Sequence, residues 1–321
     1  MAPMIRMATI GTSTITRSFL DAAASVPAVD VTTAYSRDAG RAAEFAADTG
    51  LASSASDLGE LLSSPEIDAV YIASPNGTHG EQVRQAIGAG KHVLVEKPAV
   101  PTSAEFVDLA DAASSAGVIL LEAMRNCYDP GLDDLAGLLP QLGTLRRASL
   151  AYCQRSARYD TVLAGERVNI FDPAMAGGAL LDLGVYTVAA MVALFGEPER
   201  VVAASIPIPG GADGAGAALA VYEGGFVVDL SYSKITASDR VNEIQGELGT
   251  LTFEHVAQPT SARVSLLDGT VRDHTFDGPS NNMVHEVRRF ADLVDTSGHT
   301  SADHERTLAT LRVVERIQSA V

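Results

Sequence analysis

Cysteine is scarce in this chain: Cys127 and Cys153 are its only two thiols in 321 residues. Two thiols build no disulfide framework, and their spacing matches no metal motif. Both read as reduced cysteines of a cytoplasmic protein, and no metal site is expected. Positive charge is also short, with 23 Lys and Arg against 40 Asp and Glu and a formal net charge of −17. A field of that sign repels nucleic acid phosphates and anionic lipid, which argues against both as partners. Any site for an anion must therefore be locally basic against the global sign. Long apolar runs are missing as well. The most apolar helix-like stretch, Val188 to Phe195, is too short to cross a bilayer. The N-terminus has no cationic stretch leading into an apolar segment and a small-residue cleavage site. There is no internal repeat. The expectation is a soluble, cytoplasmic protein.

What is present is enough apolar residue, 46% against 20% charged, to bury a substantial interior. The length suits two domains better than one. Up to Ala123 short apolar runs alternate with helical patterns. Strands are expected at 4–10, 30–35, 69–73, 92–95 and 118–121, and helices at 15–24, 40–49, 80–89 and 104–113. Such alternation implies parallel pairing through right-handed crossovers, hence a doubly wound sheet. After Ala123 the rhythm changes. Strands at 145–154, 201–208, 217–222, 226–233, 241–245 and 250–254 follow one another, with one helix at about 183–194 and two more at the end. Consecutive strands with segregated helices suggest a mostly antiparallel sheet. The fold class is α/β, with a doubly wound domain over 1–123 and an α+β domain over 124–321. The Gly- and Ala-rich patch Pro207 to Gly216 reads as a flexible loop.

Ligands of doubly wound sheets sit beyond the carboxyl ends of the strands. The first strand runs into Gly11-Thr12-Ser13-Thr14-Ile15-Thr16 and then a helix. The dinucleotide fingerprint places Gly at the first, third and sixth of these positions. Only Gly11 is present, with the small residues Ser13 and Thr16 at the other two. The turn can still bring backbone N–H groups to a pyrophosphate at a helix N-terminus; it also fits an ordinary strand-to-helix connection. The next strand ends in Tyr35-Ser36-Arg37, with Ser36 lying 25 residues past Gly11. An acid here would read a free ribose 2′-hydroxyl and favour NAD. A hydroxyl and a guanidinium, with Arg41 one turn later, suit a 2′-phosphate and favour NADP(H) over NAD(H). Arg37 also fits a solvated basic residue at a helix start.

Two further strands feed Ser74-Pro75-Asn76-Gly77-Thr78-His79 and Glu96-Lys97-Pro98. With Gly178-Ala179-Leu180-Leu181-Asp182-Leu183-Gly184-Val185-Tyr186, these segments closely resemble the glucose–fructose oxidoreductase, inositol dehydrogenase and rhizopine catabolism (Gfo/Idh/MocA) family. The resemblance covers nearly the whole chain. It implies a Rossmann domain followed by an open-sheet α/β domain whose face often makes oligomer contacts, hence a homo-oligomer, dimer or tetramer, through the C-terminal sheet. It implies Lys97 as catalytic lysine, a cis peptide before Pro98, and Glu96, Pro75 and Asn76 lining the nicotinamide and its ribose. Ser74 and His79 join the expected cofactor contacts, and a capping role for His79 fits equally. Asp182 matches the family's second-domain carboxylate. Tyr186 stands where the inositol dehydrogenase branch has histidine, and resembles instead the glucose–fructose oxidoreductase, dihydrodiol dehydrogenase and xylose dehydrogenase branches, which puts an inositol substrate in doubt.

Hydride transfer to a carbonyl leaves charge on oxygen, so a proton donor must stand close to it. A phenol with an ordinary pKa of about 10 serves when a neighbouring ammonium favours its phenolate, which pairs Tyr186 with Lys97. Asp182 and Tyr186, four residues apart at a helix start, project from one face and can share one substrate. Arg125, Asn126, Gln154, Arg158 and Tyr159 are candidate contacts for a polyol or acid; a polar seam between domains or subunits explains them equally. The expected activity is an NAD(P)-dependent oxidoreductase moving a hydride between nicotinamide and a carbonyl or alcohol carbon of a sugar, polyol or related small molecule. A catalytically silent dinucleotide-binding regulator and an NAD-dependent glycosidase are the competing classes.

Overall fold

The alternating first part folds as a six-stranded parallel sheet in a computed structural model that describes residues 4–321. Residues 1–3 of the first expected domain lie outside the described residues. The elements are β1 (Ile5–Ile10), α1 (Thr14–Ala23), β2 (Val29–Tyr35), α2 (Ala39–Thr49), β3 (Ser53–Ala55), α3 (Leu58–Ser63), β4 (Ala69–Ile72), α4 (His79–Gly88), β5 (His92–Glu96), α5 (Ser103–Ala116) and β6 (Leu120–Ala123). Strand order is β3-β2-β1-β4-β5-β6, so the direction of winding reverses between β1 and β4. Val70, Tyr71, Ile72, Val93, Leu94 and Val95 are fully buried. Helices cover both sheet faces, so these strands read as continuous apolar runs. The short β3 and α3 escape the sequence pattern, because three exposed or half-buried small residues, Ser53-Ser54-Ala55, carry no alternation.

The chain then continues through α6 (Pro130–Leu138), β7 (Leu145–Cys153), α7 (Tyr159–Leu163), a π-helical turn (Leu180–Gly184) that leads directly into α8 (Val185–Phe195), β8 (Arg200–Pro207), β9 (Asp213–Val221), β10 (Val227–Ser233), β11 (Asn242–Gly246), β12 (Gly249–Phe253), β13 (Ser261–Leu266) and β14 (Val271–Thr275). These strands form one sheet in the order β14-β13-β12-β11-β7-β10-β9-β8. Every pair is antiparallel except β7 with β10. On one face Ala148, Leu150, Val228, Leu230, Ile244, Leu251 and Val264 pack with α8 into the core of this unit. The opposite face carries the cross-strand row Val202, Leu219, Asp229, Ser149, Glu243, Thr252, Arg263 and Asp273. The expected loop over Pro207 to Gly216 is corrected: Asp213 to Gly216 are the first residues of β9. Gly214 and Gly216 are required there because a Cβ would lie 2.4 Å from Ile208 Cγ2 and from Tyr232 Oη, respectively.

A second correction concerns the domain limits. One compact unit comprises residues 1–123 with 279–305, and the other 124–278 with 306–321. The second expected domain is therefore interrupted. The reason is α9 (Met283–Thr296), whose apolar face, with Met283, Val287, Phe290 and Leu293 buried, packs in the first unit. There Asn281 Nδ2 donates to the Ser18 carbonyl at 2.7 Å, and His304 Nε2 meets the Leu120 carbonyl at 2.8 Å. The last helix, α10 (Ser301–Ser319), belongs to the first unit up to Glu305 and to the second beyond it. A third correction concerns Val188 to Phe195. The apolar stretch runs from Pro173 to Phe195, 23 residues long enough and apolar enough to span a bilayer, but 78% of its most apolar window is buried inside the fold. It is built as a core helix.

Candidate active site

The turn after β1 is built around Gly11. Its φ is +125°, and a Cβ there would stand 2.5 Å from the Ala73 carbonyl oxygen at the end of β4. Only glycine allows β1 and β4 to meet so closely at the point where the winding reverses. Ser13 precedes α1, and its N–H donates to Thr16 Oγ1 at 3.3 Å. Thr16 is fully buried. Its hydroxyl thus ties off the helix start in the place where the fingerprint has a third glycine. No acidic side chain occupies the first turn of α1. Its N-terminus, with Thr12, Thr14 and Ile15 around it, keeps the positive end of the helix dipole for an anion. This is the fit expected of a dinucleotide pyrophosphate.

At the end of β2, Ser36 Oγ accepts from the Asp38 N–H, and Asp38 in turn caps α2 by accepting from the Arg41 N–H at 3.0 Å. A second acid near this strand end, Asp57, whose charge is felt by Tyr35, likewise caps a helix, α3, by accepting from the Glu60 N–H at 2.9 Å. Arg37 and Arg41 are exposed, and neither makes an ion pair among the described residues. Both guanidiniums thus stand in solvent just beyond the end of β2.

The segments after β4 and β5 are fastened to each other. His79, fully buried, places Nε2 at 2.9 Å from the Ser74 carbonyl and Nδ1 at 3.0 Å from the Pro98 carbonyl. A neutral ring donates to one of these carbonyls, and an imidazolium would donate to both. Burial outweighs their pull and holds the pKa of His79 below its ordinary value. His79 is thus a brace between Ser74-Pro75-Asn76 and Lys97-Pro98, whose peptide bond is cis. Ser74 Oγ lies 2.8 Å from Thr78 Oγ1 and donates to Gln82 Oε1 at 2.6 Å, which orders the turn through Pro75 and Asn76. Glu96 is buried: Oε1 accepts from Tyr71 Oη at 2.6 Å and Oε2 from the Lys97 N–H at 3.2 Å. Tyr71 stacks on Phe19 at 3.6 Å. One residue beyond the cis bond, the Ala99 N–H donates to Glu122 Oε1 at 2.8 Å. Lys97, half-buried, is therefore carried on a loop held on both sides by buried acids. Tyr71 and Glu122 were not singled out by sequence reasoning, since each reads as an ordinary strand residue.

In the second unit, Asp182 lies in the π-helical turn and Tyr186 one turn further on, in α8. The wider turn keeps the two on neighbouring azimuths, as the sequence spacing leads one to expect of a regular helix. Gly184 between them faces the ring of Tyr232, where a Cβ would come within 2.9 Å. The helix start is capped from β9: Asp213 Oδ2 accepts from the Leu180 N–H at 2.7 Å. Burial nonetheless raises the pKa of Asp213 above the ordinary carboxylate value. Asp182 Oδ2 receives the ammonium of Lys234 at 2.5 Å. Lys234 is 2% exposed and escaped sequence reasoning because a single lysine after an apolar strand carries no periodic signal.

The remaining candidates divide. Arg125 lies with its guanidinium 5.6 Å from the Tyr186 ring centre, and Tyr152 is 5.6 Å from the same ring. His255 meets Tyr152 edge-on at 4.9 Å and, with Gln154 and Arg240, lines a hollow of about 280 Å³. Burial and the charge of Arg125 lower the His255 pKa, and the Ala257 N–H donates to its Nδ1 at 3.2 Å. Asn126 is buried and donates from Nδ2 to the Tyr186 carbonyl at 3.1 Å, so it braces α8. Tyr159 packs its ring against Phe171 at 5.9 Å in a small satellite core, and Arg158 is exposed at the start of α7. The Phe171 ring against which Tyr159 packs is 4.7 Å from the Lys234 ammonium.

Comparison with known proteins places this arrangement. Residues 5–124 match the Gfo/Idh/MocA oxidoreductase family model with its NAD-binding Rossmann fold, and residues 140–252 match the Gfo/Idh/MocA C-terminal domain. The chain is 39% identical to the scyllo-inositol 2-dehydrogenase (NADP(+)) IolU of Bacillus subtilis, over 97% of this chain and 95% of that one. It is 30% identical to the D-xylose 1-dehydrogenase (NADP(+)) 2 of Haloferax volcanii, over 88% and 86%. KijD10, a 3-ketoreductase from Actinomadura kijaniata solved with NADP and TDP-benzene, superposes with a TM-score of 0.90 at 25% identity, over 99% of this chain and 98% of that one. The reading of Tyr186 as a turn away from inositol finds no support here, since one of these relatives is itself named for scyllo-inositol. The chain belongs to the Gfo/Idh/MocA family of nicotinamide-dependent oxidoreductases acting on CH–OH carbons.

Proposed function

We propose that the protein is an NADP(H)-dependent dehydrogenase or reductase of a sugar or polyol, with Lys97, Asp182 and Tyr186 as its catalytic residues. The observation that carries the choice of cofactor is the pair of unpartnered guanidiniums, Arg37 and Arg41, after β2, where Asp38 is already committed to the α2 cap. The NADP-dependent relatives support the same choice. The bound nicotinamide supplies or accepts the hydride. The chain's own part is positional and acid–base. Glu96 and His79 hold the Lys97-Pro98 backbone, so that the ammonium is presented from a fixed loop. Tyr186 exchanges the proton at the substrate oxygen through Oη. Asp182 accepts a hydrogen bond from a second substrate hydroxyl, and Arg125 and Gln154 contact the rest of the polyol. The open sheet face with exposed Val202, Ile206 and Leu219 serves homo-oligomer contact. Cys127 and Cys153, neither of them in a disulfide, suit a reducing, cytoplasmic setting.

The test is turnover of NADPH or NADP+ with a panel containing scyllo-inositol, myo-inositol, D-xylose and their keto or lactone counterparts. A change in nicotinamide absorbance is expected with at least one of them. Lys97→Met should lower kcat by about 10²- to 10⁴-fold, the usual range for a positioned acid–base group. Undiminished activity in that variant ends the mechanism. Tight cofactor binding without turnover on the panel would indicate a regulator, and release of nitrophenol from a glycoside without net nicotinamide consumption a glycosidase.

A further inference from the structure

Lys234 is the most deeply buried cation that the reading above leaves without a task. It follows the last residue of β10, and its main chain is fixed on both sides: its N–H donates to the Gly214 carbonyl and its carbonyl accepts from the Ser156 N–H, each at 2.8 Å. The side chain is 2% exposed, and its ammonium contacts Asp182 Oδ2 at 2.5 Å and the Ile170 carbonyl at 3.2 Å, with the Phe171 ring at 4.7 Å. An ammonium removed from water to this degree is kept only where charge and hydrogen bonds compensate it. Asp182 itself retains 34% of its side-chain exposure. One carboxylate oxygen is thus claimed by a cation inside the fold while the group as a whole still reaches solvent. Asp213, on β9, adds a second negative charge near the same ammonium while its Oδ2 binds the Leu180 N–H.

From this geometry we infer that Lys234 is a positioning residue for substrate recognition. It fixes Asp182 in one orientation and in its charged, acceptor-only form, so that Asp182 binds a hydroxyl of the substrate and takes no part as a proton donor. The inference rests on the reading of Asp182 as a substrate-binding residue, and it makes the substrate class narrower. The molecule must offer a hydroxyl beside the reacting carbon, as a polyol or sugar does and a simple ketone does not.

The test compares wild type, Lys234→Met, Lys234→Arg, Asp182→Asn and the Lys234→Met/Asp182→Asn double variant. Each is assayed with whichever of scyllo-inositol, myo-inositol or D-xylose turns over best and with its monodeoxy analogues. NADPH affinity, read by fluorescence, reports on the first unit and should be unchanged throughout. Lys234→Met should raise KM by about 10- to 100-fold with a much smaller change in kcat, the size and pattern expected for losing a hydrogen bond to a charged group in the ground state. It should also lose the preference of wild type for the full polyol over one deoxy analogue. Lys234→Arg, which keeps the charge, should restore most of that preference, and the double variant should be no worse than Asp182→Asn alone. Wild-type KM and discrimination in Lys234→Met beside an impaired Asp182→Asn overturn the inference and leave the role of Asp182 standing. Wild-type behaviour in Asp182→Asn overturns that role itself. Should Lys234→Met fail to fold, Lys234→Gln decides by the same two readouts, with unchanged discrimination against the inference.

Discussion

In the proposed cofactor site, Gly11 and Arg37 are the single residues that would prepare the first unit for a charged cofactor. At Gly11 the chain requires both a positive φ of +125° and a 2.5 Å space toward the Ala73 carbonyl that a Cβ would fill. Gly11→Ala should therefore abolish NADPH binding or weaken it by at least about tenfold, measured by fluorescence titration, because the β1–α1 turn must shift away from β4. A variant with wild-type affinity would show that the turn does not approach the cofactor. The role proposed for Arg37 combines its charge with its N–H donors. Arg37→Ala should raise the Kd for NADP+ by about 10-fold and leave that for NAD+ unchanged, the scale of one charge-assisted hydrogen bond to a phosphate. Equal loss for both cofactors would remove Arg37 from 2′-phosphate recognition. Thr16 illustrates the opposite case, in which a departure from the glycine fingerprint is absorbed because its hydroxyl closes the helix start instead of facing outward.

At the scale of elements, the helix that bears Asp182 and Tyr186 depends on partners far away in sequence. Its α-helical part, Val185–Phe195, has buried residues at every position from Val185 to Val192 and so has no amphipathic stripe to orient it. Orientation comes from its ends and flanks: the π turn, Gly184 against Tyr232, Asn126 on the Tyr186 carbonyl, and Asp213 on the Leu180 N–H. Asp213→Ala leaves the helix-start N–H without its acceptor, and should lower stability by about 1–2 kcal/mol in urea unfolding, the usual size of a lost helix cap. An unchanged midpoint would mean that water replaces the carboxylate at no cost. The same logic explains α9. Its buried stripe of Met283, Val287, Phe290 and Leu293 is legible as an amphipathic helix, but nothing in that stripe names the unit it covers.

For the whole molecule, the histidines set how the fold responds to acid. Burial lowers the pKa of His79, and of His92, whose Nδ1 accepts from the Ile119 N–H at 3.0 Å. Groups whose folded pKa lies below the unfolded value of 6.5 bind more protons when unfolded. Their contribution is therefore complete above pH 6.5 and is lost as pH falls from there through the folded values. The melting temperature should decline from pH 7 toward pH 5, before the ion-paired carboxylates such as Asp68 are protonated. His92→Gln should make that decline shallower, as followed by calorimetry across pH, and an unchanged slope would exclude His92 from it. Assembly belongs to the same scale. If the open sheet face joins subunits, Leu219→Glu, placed in the exposed row beside Val202 and Asp229, should convert the oligomer to monomer in light scattering.

Much of this protein is legible along the chain because its signals are local. The alternation up to Ala123, the strand ends that precede Gly11, Ser36, Ser74 and Lys97, and the run of strands after Leu145 each lie within windows of a few residues, where periodicity and turn chemistry decide. The Pro75-Asn76, Glu96-Lys97-Pro98 and Asp182–Tyr186 segments stood out for another reason, their resemblance to the motifs of a known family. The short β3 had no apolar alternation to reveal it, and Asp213 to Gly216 resembled a loop because small residues were needed beneath Tyr232. Only the tertiary structure decided which residues meet across distance: Lys234 with Asp182, 52 positions apart, Asp213 with the Leu180 N–H, His79 with the Pro98 carbonyl, and α9 with the first unit. Such pairings depend on where separately formed elements dock, and a charge or a cap looks the same in the sequence whether its partner is water or a buried carboxylate.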